Sequence, residues 1–149
     1  MNPRSSAAAI ALFFLAATAS AQQPVAAGRI KVASGASFII RGGARVPGQA
    51  GQVVFVSDSL QTGADGRLGI TLKDETRVSL GPGSEVRLDR FAFAPAEGRL
   101  GLVVTIIRGV VAYVSGRIAK LAPDSIRLET PSAVVGVRGT TLAIRVVPQ

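Results

Sequence analysis

From residue 68 onward, apolar and polar side chains alternate in short bursts. Leu68, Ile70 and Leu72 interleave with Gly69, Thr71 and Lys73; Val86 and Leu88 with Arg87 and Asp89; Ile126 and Leu128 with Arg127 and Glu129; Leu142, Ile144 and Val146 with Ala143 and Arg145. A period of two with one polar face is the pattern of a half-buried strand. The apolar residues are mostly β-branched, with Val occurring 18 times, and branched side chains fit a pleated surface better than a helix. Turn formers punctuate the runs: Gly42-Gly43, Pro47-Gly48, Ala64-Asp65-Gly66, Gly81-Pro82-Gly83 and Pro123-Asp124. The pattern predicts strands near 28–34, 37–41, 52–56, 68–73, 76–80, 85–89, 101–108, 110–115, 125–130, 133–138 and 141–147. No stretch of twelve or more residues after position 21 keeps a helical period. The expectation is a single all-β domain over 28–147.

Within it lies an eight-residue repeat, in which Ile70 and Leu72 recur as Val78 and Leu80 and again as Val86 and Leu88. Two architectures fit. One is an antiparallel meander, sandwich or barrel with hairpins at 73–76 and 81–84. The other is a β-solenoid in which each unit forms one wall of a coil. The chain has no Asn after position 21 to supply Asn-Gly primed turns. That tilts the expectation toward a small, twisted, solenoid-like domain.

The N-terminus has a different texture. Arg4 precedes an apolar run from Ala7 to Ala17, and small residues at Ala19 and Ala21 follow. These are the three parts of a secretory leader, read here as cleaved after Ala21. The run is shorter than the roughly 20 residues that a spanning helix needs. A short linker over 22–27 then leads into the domain. The expectation is a periplasmic or secreted protein of a Gram-negative bacterium, with no membrane span after cleavage.

Composition narrows the chemistry. The chain holds 17 Lys and Arg against 9 Asp and Glu, with no His and no Cys. That excludes a His-based triad, a thiolate nucleophile, a disulfide and an ordinary zinc site. No Ser-x-x-Lys spacing and no Gly-x-Ser-x-Gly elbow occurs. Asp74 and Glu75 are adjacent, so they diverge on a strand or share a turn and do not converge across a cleft as paired catalytic carboxylates do. Asp58, Asp65 and Asp74 have no calcium-loop spacing. The segment 136–141 lacks the Gly-Lys-Ser/Thr ending of a phosphate loop. No catalytic, cofactor or metal site is expected. Of the basic residues 14 are Arg, 13 of them spread from Arg29 to Arg145, mostly over the polar positions of strands or their ends, and aromatics for stacking are few. Nucleic acid is therefore not an expected partner. The alternative expectation is a binder of an anionic envelope polymer, glycan or lipopolysaccharide, through this dispersed basic surface.

Three ordered segments carry a family resemblance. Residues 56–68 include Asp58, Thr62, Gly63 and Gly66; residues 68–88 carry corners at Asp74 and at Pro82-Gly83-Ser84; residues 130–144 contain Val137-Arg138-Gly139-Thr140. Together they resemble the FecR domain, with Ser57 and Glu75 standing where that family usually has Gly, and Leu142 where it has an aromatic. The resemblance implies a compact, twisted, β-solenoid-like module that binds protein in the bacterial envelope. The expectation is a stand-alone module, without the cytoplasmic anti-sigma domain and spanning helix of the family's regulators. As structural roles, Asp58 and Thr62 are expected to cap a corner through side-chain to backbone hydrogen bonds. Asp74 and Ser84 mark two further corners. Gly63, Gly66 and Gly139 are expected at bends that exclude a Cβ. Arg138 either pairs with a carboxylate or is exposed, and Thr140 completes the closing motif. The functional expectation is a non-enzymatic interaction or scaffold module in envelope sensing, its partner an envelope protein.

Overall fold

The computed structural model describes residues 23–139 and 141–147. The leader assigned to 1–21, and Thr140, lie outside the described residues.

Twelve strands form one curled, open half-barrel sheet. In chain order they are β1 (Ala26–Ser34), β2 (Ser37–Arg41), β3 (Ala44–Pro47), β4 (Val53–Phe55), β5 (Ser59–Thr62), β6 (Arg67–Leu72), β7 (Arg77–Leu80), β8 (Glu85–Ala94), β9 (Arg99–Val114), β10 (Ile126–Thr130), β11 (Ala133–Gly136) and β12 (Thr141–Val146). The main path runs β3-β2-β5-β8-β9-β7-β6-β1-β4. The all-β expectation holds.

The long strand β9 organises the sheet. Its first part pairs with β8 and with β10, Leu88 facing Val104 and Leu128 also facing Val104 from the other side. Its second part pairs with β7 and β12, Tyr113 lying between Val78 and Leu142. Between the two parts sits Gly109, at φ 89°. The chain bends there, so one strand belongs to both halves of the sheet. Alternation then aims the apolar side of each half at a common interior. Ile30, Leu68, Ile70, Leu72, Val78, Leu80, Val111 and Tyr113 come from one half. Ile39, Leu60, Val86, Leu88, Leu102, Val104, Ile106, Ile126 and Leu128 come from the other, and all are buried in one cluster. Each such side chain contributes about 1.5–3 kcal/mol on burial. With no cysteine to cross-link the chain, this cluster is the main source of stability.

The pairing is antiparallel except between β9 and β10. Of the two architectures considered, the antiparallel, barrel-like one therefore describes the pairing. The first step of the eight-residue repeat is a hairpin, Ile70 facing Val78 across β6 and β7. The second step is a corner that carries the chain from β7, paired with the end of β9, to β8, paired with its beginning. The hairpin needs no Asn-Gly because Glu75 itself adopts the left-handed conformation, at φ 72°. The absence of Asn was therefore a poor guide.

Other differences have equally local causes. Gly42-Gly43 is a two-residue hairpin turn with φ of 57° and 79°, joining β2 to the unforeseen β3; consecutive positive φ values are what a primed turn requires. The strand β5 was passed over although Leu60 and Thr62 alternate inward. Strand β8 runs on to Ala94 through a bulge between Leu88 and Arg90. Strand β1 starts at Ala26, with Ala27 fully buried, so the stretch read as linker contributes to the sheet. A five-residue helix, α1 (Arg117–Leu121), was not foreseen either. Among the described residues no helix is long and apolar enough to cross a membrane.

Candidate interaction surface

The residues singled out in the sequence do not converge on one site. They divide among separate corners, and Asp58, Thr62, Asp74 and Ser84 are buried. Asp58 lies in the turn before β5 and is 1% exposed. Its Oδ2 accepts the Phe55 N–H at 2.8 Å, and its two oxygens accept Arg41 Nε at 2.9 Å and Nη2 at 2.7 Å. This two-pronged contact raises the Arg41 pKa, the hydrogen bond to Asp58 being the largest cause. Arg41 also stacks 4.6 Å from the Phe55 ring centre.

Thr62 and Ser84 build the second corner. Thr62 Oγ1 donates to Gly81 O at 2.6 Å and accepts the Ser84 N–H at 2.9 Å. Ser84 Oγ donates to Val110 O at 3.1 Å and accepts the Val110 N–H at 3.0 Å. Two hydroxyls thus tie the end of β5 and the turn before β8 to the bend of β9. Beside them, a Cβ on Gly63 would lie 2.8 Å from Ala36 Cβ, and one on Gly66 would lie 2.0 Å from Ala36 O. Both glycines mark close approach of two backbone turns.

The third corner centres on Asp74, which is 0% exposed. Its carboxylate accepts the Thr76 N–H at 3.1 Å, the Thr76 hydroxyl at 2.7 Å and the Ile118 N–H at 3.2 Å. One side chain closes the β6–β7 hairpin and also caps α1, 44 residues away. Nearby, the Tyr113 hydroxyl is buried with no hydrogen-bond partner among the described residues. Burial is the main cause that raises its pKa; the Asp74 charge adds to it, and the neighbouring Ser115 and Thr76 hydroxyls oppose it.

Arg138 and Gly139 lie elsewhere, exposed, on the link between β11 and β12. Arg138 makes no salt bridge among the described residues. Gly139 has φ 138° and open space around it, so its backbone conformation, and no crowding, disfavours other residues there.

Every buried oxygen in these three corners is engaged with backbone or with its immediate neighbours. Neither Thr62 nor Ser84 has a carboxylate or amine as hydrogen-bond partner. Among the described residues no three His, Cys, Asp or Glu side chains gather as metal ligands would. The candidate surface lies on the outside of the sheet. Pairing sets Val32 opposite Gly69, Gly69 opposite Ser79, Ser79 opposite Ala112 and Ala112 opposite Ala143. The result is a shallow apolar trough across β1, β6, β7, β9 and β12, with Val32 at 58% and Val110 at 39% exposure on it. Exposed Arg67, Arg77 and Arg145 border it. Sequence reading missed this trough, although its signal was present: small residues at outward positions of four strands.

A β scaffold whose polar motif residues are engaged in holding corners is the class that fold and site define. Comparison with family models agrees: residues 58–149 match the family described as FecR protein, and the chain belongs to that family. It is a regulatory, sensing family generally associated with the envelope. Neither curated proteins nor solved structures gave a match. The only non-glycine residues with positive φ among those described are Ser57, at 77°, and Glu75, at 72°. These are the two positions at which the resemblance drawn from the sequence expects Gly. Both are exposed, so replacing either side chain removes no packing. Left-handed backbone costs a non-glycine residue roughly 1–2 kcal/mol, partly offset by the extra freedom Gly has when unfolded. Ser57→Gly and Glu75→Gly are each expected to raise stability by about 0.5–1 kcal/mol in urea unfolding. A loss of stability in both would refute the strain.

Proposed function

We propose that the protein is an exported, non-enzymatic interaction module that docks an envelope protein as part of sensing or signalling. The carrying observation is the apolar trough of Val32, Gly69, Ser79, Ala112 and Ala143 bordered by arginines, on the outside of a scaffold of the FecR protein family. The trough offers a partner backbone close approach, and its rim favours a partner with an apolar centre and carboxylates around it. Ser79 is exposed, mid-strand and without a side-chain hydrogen bond, so Ser79→Glu tests the surface without disturbing the core. In cross-linking from envelope extract, the variant is expected to capture the wild-type partner at least tenfold less well, because a buried, unpaired interface charge costs several kcal/mol. The melting temperature is expected to stay unchanged. Equal capture by variant and wild type would refute docking over this face.

A further inference from the structure

The outer face of β4, β1 and β6 carries a cleft of about 340 Å³, separate from the trough. Its walls include Arg29, Lys31 and Lys73, and its floor includes Ala26 and Val53. Strand geometry explains the grouping. Arg29 and Lys31 are alternate exposed residues of β1. Gly28 pairs with Leu72, and the Lys73 N–H donates to Ala27 O at 2.8 Å, which brings Lys73 alongside. The two strands approach so closely that a Cβ on Gly28 would lie 2.3 Å from Thr71 O. Arg29 Nη1 donates to Gly51 O at 3.0 Å, which fixes the guanidinium and leaves its other N–H groups free to point at a ligand.

No carboxylate lines this cleft, and none of the three cations forms a salt bridge among the described residues. Arg41, Arg87, Arg99, Arg108 and Arg127 each have an acidic partner, whereas other cations such as Arg67, Arg77 and Arg138 also have none among the described residues; what distinguishes the cleft is that three such cations line one concavity. Three unneutralised positive charges in one concavity focus the field there and favour an anion. A planar guanidinium and two ammonium groups suit the oxygens of a phosphate, while the floor suits a small apolar group next to it. Arg29 and Lys31 also precede the segment matched to the FecR protein family, so the cleft is not built from the matched segment alone.

We propose that this cleft binds a phosphate ester, with the phosphate on Arg29, Lys31 and Lys73 and the ester's apolar carbons on Ala26 and Val53. The inference is independent of docking at the trough. The test is calorimetric titration of the purified protein with butyl phosphate and with inorganic phosphate. Sedimentation with phosphatidylglycerol vesicles, against phosphatidylcholine vesicles, accompanies it. Butyl phosphate is expected to bind more tightly than inorganic phosphate. Lys31→Gln/Lys73→Gln is expected to weaken butyl phosphate binding about tenfold or more. The control Lys120→Gln/Arg127→Gln, which removes the same charge elsewhere, is expected to leave it within about twofold at moderate salt, where distant charges are screened. Phosphatidylglycerol sedimentation that the Lys31/Lys73 variant loses would mark a lipid headgroup as the source. Butyl phosphate binding without vesicle binding would mark a soluble ester. Equal weakening by both double variants, equal affinity for the two phosphates, or no binding of butyl phosphate would each overturn the proposal.

Discussion

Gly109→Ala is expected to destabilise the protein by about 4–6 kcal/mol, enough to unfold much of a domain whose total stability is of the order of 5–15 kcal/mol. Three effects combine at this position. The backbone is left-handed at φ 89°, which costs alanine roughly 1–2 kcal/mol. A Cβ there would lie 2.2 Å from Ser84 Oγ and 2.5 Å from Ser84 Cα. Ser84 is fully buried and cannot swing aside, so overpacking adds about 1–3 kcal/mol. Displacing Ser84 also breaks its paired hydrogen bonds to the Val110 N–H and carbonyl, about 1–3 kcal/mol for backbone groups left without a partner. Gly98→Ala separates strain from collision. Gly98 has φ 67° and nothing near its Cβ position, so that variant is expected to lose only about 1–2 kcal/mol. Chemical denaturation of the two variants is the measurement. Equal losses would show that the contact with Ser84 has no energetic role.

The same residue shows how much of the fold the sequence carried. Period-two alternation located most strands and the inward faces of β6, β7, β8 and β12, because burial on one side writes itself directly into residue type. Gly109 was legible as an interruption, and the pattern split β9 there into two strands. What the pattern could not carry is that the chain continues across the break into another half of the sheet. That depends on what Ser84 and Val110 do in space. Pairing partners were equally hidden: Leu80 faces Val111 and Val86 faces Ile106, and no local signal names a partner twenty or more residues away. The turn between β6 and β7 misled for a sharper reason. Its left-handed position is filled by Glu75, a residue that ordinarily argues against such a turn, and the compensation comes from Asp74 and Thr76 beside it. Individual motif residues were identifiable, but Arg41 as the partner of Asp58 was not. The small outward residues of the trough were legible singly, but neither it nor the basic cleft could be assembled from the sequence, because each joins residues on several strands.

Asp74→Ala is expected to cost about 3–5 kcal/mol, since it strands buried donors in two elements at once. The Thr76 N–H, the Thr76 hydroxyl and the Ile118 N–H all lose their acceptor. The site is fully buried and joins both elements, so the hairpin and α1 loosen together. Packing tightens the constraint: a Cβ on Gly116 would lie 2.4 Å from Asp74 O and 2.3 Å from Thr76 N, so the turn and the start of α1 are in direct contact. Asp74→Asn separates charge from geometry. Its amide oxygen still accepts, and the expected loss is about 1–2 kcal/mol. The two variants also differ in a spectroscopic readout. Tyr113 is the chain's one tyrosine, and there is no tryptophan, so tyrosinate absorbance reports it alone. The Asp74 charge is one cause that raises its pKa, after burial. Asp74→Asn removes that charge and leaves the ring buried, so the titration midpoint is expected to fall toward the ordinary tyrosine value while staying above it. The linkage follows in sign. A hydroxyl whose pKa is higher in the folded state adds stability below the unfolded value of about 10 and loses it as pH rises through the folded value. Wild-type stability is therefore expected to decline above about pH 10, and Tyr113→Phe to flatten that decline. An unchanged Tyr113 midpoint in Asp74→Asn would show that the carboxylate acts on the corner through its hydrogen bonds alone.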